Sequence, residues 1–176
     1  MMPIKKFENF FTEDFYSEVI ETAKKLIVTP LELGDHNFST NASWTKDIIK
    51  DSFPVLIHRI YTESDFFKKC IDQIESKTNY RVKCNTIMIY YWTRFSYIPW
   101  HNDGMHDAAL TVYLNDQWDR DYGGFFLYEE EDEIKAIIPK RNFGILQKGG
   151  TKHCTTPVNF DGKMRITIQT FLENKK

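Results

Sequence analysis

The residues best placed to do chemistry lie in the segment 97–104, Tyr-Ile-Pro-Trp-His-Asn-Asp-Gly. His101 and Asp103 are two residues apart, and on an extended backbone that spacing turns both side chains to one face. An imidazole and a carboxylate on a common face are two members of a facial metal site, which a second imidazole from elsewhere in the chain would complete. His153, after the apolar run 143–147 and Lys148-Gly149-Gly150, is the candidate third donor. Taken singly, it reads as readily as a surface histidine.

Lys163 to Phe171 alternates. Arg165, Thr167, Gln169 and Phe171 share one face, and Ile166, Ile168 and Leu172 take the other. If the first face is interior, Arg165 requires an anion, and guanidinium holds a carboxylate through paired hydrogen bonds. If the strand is an edge, Arg165 reaches solvent. In Ala109-Leu110-Thr111-Val112-Tyr113-Leu114, the small Ala109 and Thr111 share a face with Tyr113, leaving room for a ligand beside a phenol donor. Ordinary core packing is the other reading of Tyr113.

These residues need a β scaffold, and the chain supplies one. Residues 12–28 are expected to be a helix, with Thr12 as N-cap, Glu13 and Asp14 in the first turn, and Phe15, Val19, Ala23, Leu26 and Ile27 on one stripe. A polar, turn-rich loop is expected over 31–45, and a helical turn near Asp47 to Lys50, broken before Pro54. A second helix is expected from Ser64 to Lys77, burying Phe67, Cys70, Ile71 and Ile74. From Val82 the apolar period becomes two, with strands expected at 82–92, 96–101, 108–114, 124–128, 133–138, 143–147 and 164–172. Helices followed by many short strands define an α+β domain whose strands close into a sandwich or barrel; a jelly roll with helices packed on one face is the expectation. A single domain is expected over 1–176, with helical support in 1–80 and a jelly-roll core in 81–174.

The bulk numbers exclude several classes. A net charge of −2 and no basic stripe with interleaved aromatics argue against nucleic acid as a partner, and no apolar run is long enough for a membrane span. Three cysteines without CxxC spacing, and no signal-peptide run at the start, favour a reduced, cytoplasmic protein. The acidic run Glu129–Glu133 reads as a solvated hairpin loop, and Cys154 as a buried structural thiol.

Several short motifs occur in a telling order: His101-Asn102-Asp103, then Tyr113-Leu114-Asn115 with Trp118, then Gly123-Gly124 before Phe125, then His153, then Arg165 twelve residues on. Together they resemble the Fe(II)- and 2-oxoglutarate-dependent dioxygenases, in particular the prolyl 4-hydroxylase-like branch, over roughly residues 87–172. The resemblance implies a double-stranded β-helix in which His101, Asp103 and His153 hold iron. Arg165 and Tyr113 would bind the distal carboxylate of 2-oxoglutarate, with Tyr91 near the co-substrate and Thr167 assisting. Fe(II), 2-oxoglutarate and O2 are the implied cofactor and co-substrates, with ascorbate as a stimulant. Related halogenases carry a small residue where this chain has Asp103, so the resemblance implies hydroxylation. Collagen-type prolyl hydroxylases often carry Lys in place of Arg165, which points to the oxygen-sensor-like or bacterial branches. The expected substrate is a prolyl or similar residue in a peptide or protein. Alternatives are a free amino acid or other small molecule, or a non-catalytic jelly roll that only binds metal. Trp92, Arg94, Trp100 and Trp118 are expected around the mouth.

Overall fold

Strand alternation governs how this chain is layered. A computed structural model describes residues 3–28, 36–37 and 55–175; the loop expected over 31–45 and the turn near 47–50 fall outside them, apart from the backbone of 36–37. The elements are β1 (Ile4–Phe7), α1 (Glu13–Val28), β2 (His36–Asn37), β3 (Val55–Arg59), α2 (Asp65–Thr78), β4 (Tyr80–Trp92), β5 (Ile98–His101), β6 (Ala108–Tyr113), β7 (Phe126–Glu130), β8 (Glu133–Ile137), β9 (Phe143–Lys148), β10 (His153–Thr155) and β11 (Arg165–Asn174). Their pairing is antiparallel, in a seven-stranded sheet of order β1-β9-β6-β11-β4-β3-β2 and a four-stranded sheet of order β5-β10-β7-β8. This is the expected jelly roll.

Both expected helices form. In α1, Phe15, Val19, Ala23 and Leu26 are buried as the stripe requires, while Ile27 is partly exposed. Ser64 caps α2, its hydroxyl accepting from Phe67 N at 3.1 Å, and Asn79 ends it in a left-handed conformation. The helices cover one face of the large sheet through Ile87, Ile89, Tyr91, Leu110, Val112 and Ile168. The alternate residues Met88, Tyr90, Trp92, Tyr113 and Ile145 turn inward between the sheets and meet Ile98, Phe126, Tyr128 and Val158. Each fully buried Ile, Leu or Phe in these layers contributes about 1.5–3 kcal/mol.

The division at residue 80 needs correction. β1, β2 and β3 precede it and all belong to the large sheet, so the first 80 residues supply strands as well as helices. The acidic run is the β7–β8 turn, with Glu131 and Asp132 both at positive φ, as a tight hairpin needs.

Asn142 locks the N-terminal segment to the sheet. Its side chain accepts from Phe11 N at 2.9 Å and donates to Phe11 O at 2.8 Å, and its backbone carbonyl accepts from Phe10 N. Its φ of 50° is one that Asn tolerates and Ala does not. Asn142→Ala is therefore expected to cost about 2–4 kcal/mol, read as a lower urea midpoint; an unchanged midpoint would contradict this role.

Candidate metal centre and anion pocket

His101 and His153 face each other across the β5–β10 pair, with ring centroids 4.2 Å apart. His101 ends β5, and the turn after it carries Asp103 back beside both rings. Asp103 Oδ1 lies 3.9 Å from His101 Nε2, and Asp103 Oδ2 lies 3.7 Å from His153 Nε2. One ligand atom from each residue can be chosen so that all three lie within 4.8 Å of one another. The second ring nitrogens set the tautomers. His101 Nδ1 is 2.7 Å from Pro99 O and His153 Nδ1 is 2.9 Å from Thr151 O. A carbonyl only accepts, so both Nδ1 atoms carry the proton and both Nε2 lone pairs are bare, as metal ligation requires. Burial, then the neighbouring His101, holds the His153 pKa below the usual imidazole range, which also favours the neutral ligand. Two imidazoles and one carboxylate on one side of a cavity suit a divalent transition metal.

A glycine allows the two ligand segments to meet. A Cβ on Gly149 would lie 1.8 Å from the His106 carbonyl oxygen, and Gly149 N donates to Asp107 O at 2.9 Å. The β9–β10 connection thus rests directly on the loop that follows Asp103.

Arg165 lies at the start of β11, only 1% exposed. Its guanidinium lies over the rings of Trp92 at 4.6 Å and Tyr113 at 5.0 Å, and Nη2 donates to Tyr113 Oη at 3.4 Å. Nε and Nη1 are buried with no hydrogen-bond partner among the described residues. Burial lowers the Arg165 pKa and raises that of Tyr113, so the phenol keeps its proton as a donor. A buried cation against aromatic faces, with no carboxylate partner among the described residues, suits an anion. Asn115 fixes it in place, donating to Met164 O at 2.7 Å and accepting from Ile166 N at 2.8 Å, one bond on each side of Arg165. Gly124, at φ 66°, leaves the space that Arg165 Cδ fills, since a Cβ there would lie 2.9 Å from it.

Ring packing links the surroundings of Arg165 to the triad. Tyr113 packs in one cluster with Phe126, whose ring stacks on His153 at 5.1 Å. Tyr90, its hydroxyl pKa raised chiefly by burial and then by the Asp103 charge, lies 6.0 Å from Trp92.

His101, Asp103 and His153 come together as one group, and Arg165, Tyr113 and Thr167 gather around Trp92 as another. Thr167 is buried and accepts from Trp92 Nε1 at 3.2 Å. Tyr91 is the exception. It points to the helices, where its hydroxyl donates to Ala23 O at 2.7 Å, because its neighbours Tyr90 and Trp92 hold the inward register opposite Thr167 and Arg165. Sequence reasoning passed over Tyr90 and Gln147. The alternation that places Arg165 inward would have found Tyr90. Gln147 announces itself only as a polar end to the apolar run Phe143-Gly-Ile-Leu. At the rim, Trp100 is 42% and Met105 84% exposed, on either side of the His101–Asp103 segment. Arg94 pairs with Asp161, and Trp118 donates to Gly123 O.

No protein-family model matches the sequence, and no curated protein does. Solved structures do match. A prolyl-4-hydroxylase from Pseudomonas putida aligns with a TM-score of 0.72 at 11% identity, over 100% of this chain and 95% of its own. A prolyl hydroxylase from Trichoplax adhaerens, solved with a hypoxia inducible factor oxygen degradation domain peptide, aligns at 0.75 and 16% identity, over 98% of this chain and 84% of its own. The chain has the fold of the 2-oxoglutarate-dependent oxygenases. That double-stranded β-helix is not confined to prolyl hydroxylases: SnoN, a non-heme alpha-ketoglutarate-dependent epimerase of nogalamycin biosynthesis, aligns at 0.70 and 9% identity over 98% of this chain and 78% of its own. No helix among the described residues is long and apolar enough to cross a membrane.

Gly149→Ala should push the His153 segment away from Asp103. We expect Mn(II) binding about 10- to 100-fold weaker, with stability lowered by about 1–3 kcal/mol. Titration followed by electron paramagnetic resonance checks this, and wild-type affinity would contradict it.

Proposed function

We propose that this protein is an Fe(II)- and 2-oxoglutarate-dependent dioxygenase that hydroxylates an unactivated C–H bond. The observation that carries the proposal is the pairing, between the two sheets, of a two-histidine, one-carboxylate cluster with a buried guanidinium whose Nε and Nη1 have no hydrogen-bond partner among the described residues. The fold likeness supports the same class. His101 Nε2, His153 Nε2 and a carboxylate oxygen of Asp103 would hold the iron. Iron bound there would couple the oxidative decarboxylation of 2-oxoglutarate by O2, giving succinate and CO2, to insertion of oxygen into the C–H bond. Arg165 receives the distal carboxylate, and the Tyr113 hydroxyl can donate to it while accepting from Arg165. Tyr90, Trp92 and Thr167 are buried between the sheets, and a low-dielectric setting of that kind strengthens a guanidinium–carboxylate pair.

A prolyl or similar residue in a peptide or protein is the substrate we favour. Trp100 and Met105 put exposed apolar surface beside the triad, where an extended chain can lie, and the Trichoplax enzyme was solved with a peptide. A small-molecule substrate is the second reading, supported by the fold likeness to SnoN at a TM-score of 0.70.

Iron-loaded wild type is expected to release succinate from 2-oxoglutarate well above His153→Ala, even without its true substrate. Equal release from both would leave a metal-binding jelly roll without catalysis. Incubation with peptide and small-molecule libraries, read by mass spectrometry for addition of one oxygen atom, separates the two substrate classes. A hydroxylated free metabolite with no hydroxylated peptide would overturn the peptide assignment.

A further inference from the structure

Gln147 lies where the fold assigns no obvious need for an amide. It is the fifth residue of β9, 3% exposed, and faces inward opposite Ala109, whose methyl leaves it room to extend between the sheets. Its Nε2 is 2.6 Å from Asp103 Oδ2 and 3.1 Å from His153 Nε2. The carboxylate oxygen only accepts, so the atom at 2.6 Å must be the amide nitrogen. His153 Nε2 is bare because Nδ1 carries the proton toward Thr151 O, so it too accepts. One amide group therefore places both its N–H bonds on two members of the triad.

We infer that Gln147 is a positioning residue for the metal centre. It holds Asp103 by one oxygen so that the other is offered to the cation, and it clasps His153 beside Asp103 before the cation arrives. A carboxylate in water turns freely between one-oxygen and two-oxygen coordination. A charge-assisted N–H bond to Oδ2 removes that choice. When a cation takes the Nε2 lone pair of His153, the second N–H must give up that acceptor while the first keeps Asp103. The inference rests on the metal site proposed above and adds a residue that is not itself a ligand.

The test uses Co(II), whose visible absorption reports coordination geometry, and Gln147→Met, which keeps length and bulk but has no donor. The expected result is Co(II) affinity about 10- to 100-fold lower, with an altered visible spectrum. Gln147→Met with wild-type affinity and spectrum would overturn the inference and leave the metal site standing. Wild type that binds Co(II) no better than His153→Ala would overturn both. Should Gln147→Met fail to fold, the side-chain amide of wild-type Gln147 can be followed by nuclear magnetic resonance during Zn(II) titration. One amide proton is expected to stay downfield on Asp103 while the other moves upfield; two unmoved resonances would refute the clasp.

Discussion

The structure depends on one constraint: a guanidinium taken out of water must be surrounded by groups that tolerate its charge. Arg165 is held against two aromatic rings and one hydroxyl, with no carboxylate partner among the described residues. Removing a charge of this size from solvent costs several kcal/mol, and aromatic faces recover only part of that. Such a residue suits a place where an anion can complete it. The surroundings of Arg165 serve this end. Asn115 grips the backbone on both sides, Gly124 yields the volume for its stem, and Trp92 and Tyr113 come from the two strands that flank β11.

The candidate metal ligands are brought together on the opposite sheet by different means. Two histidines meet as a directly opposed cross-strand pair, so the register of β5 and β10 alone brings their rings together. Asp103 reaches them from a loop, and loops need supports. Gly149 lets one connection press against another, and the Gln147 amide crosses from the large sheet to hold the carboxylate. Jelly-roll closure then sets the distance between cluster and cation pocket.

Much of this was legible in the sequence. Alternation from Val82 onward exposes the long strands and the shared face of Arg165 and Thr167, and the His101–Asp103 spacing carries the cluster. What escaped did so for physical reasons. β10 is three residues long, too short to show a period, and β1 reads Ile-Lys-Lys-Phe, an edge strand whose central lysines face solvent. β3 is an unbroken apolar run ending in His58-Arg59, without the alternation that marks a half-exposed strand. Tyr91 shows how sharply period two divides: Tyr90 and Tyr91 are adjacent and chemically identical, yet one packs between the sheets and the other anchors α1. Only the pairing of Arg165 with Trp92 decides between them. Gln147 depends on Ala109 across the strand pair, a relation no local pattern contains.

Calorimetric titration of 2-oxoglutarate into Mn(II)-loaded wild type and Arg165→Met tests most directly whether the buried cation exists to receive a dicarboxylate. The variant should bind 2-oxoglutarate about 30- to 1000-fold more weakly, corresponding to about 2–4 kcal/mol, while keeping its Mn(II) affinity. Equal affinity of the two proteins for 2-oxoglutarate would contradict the account.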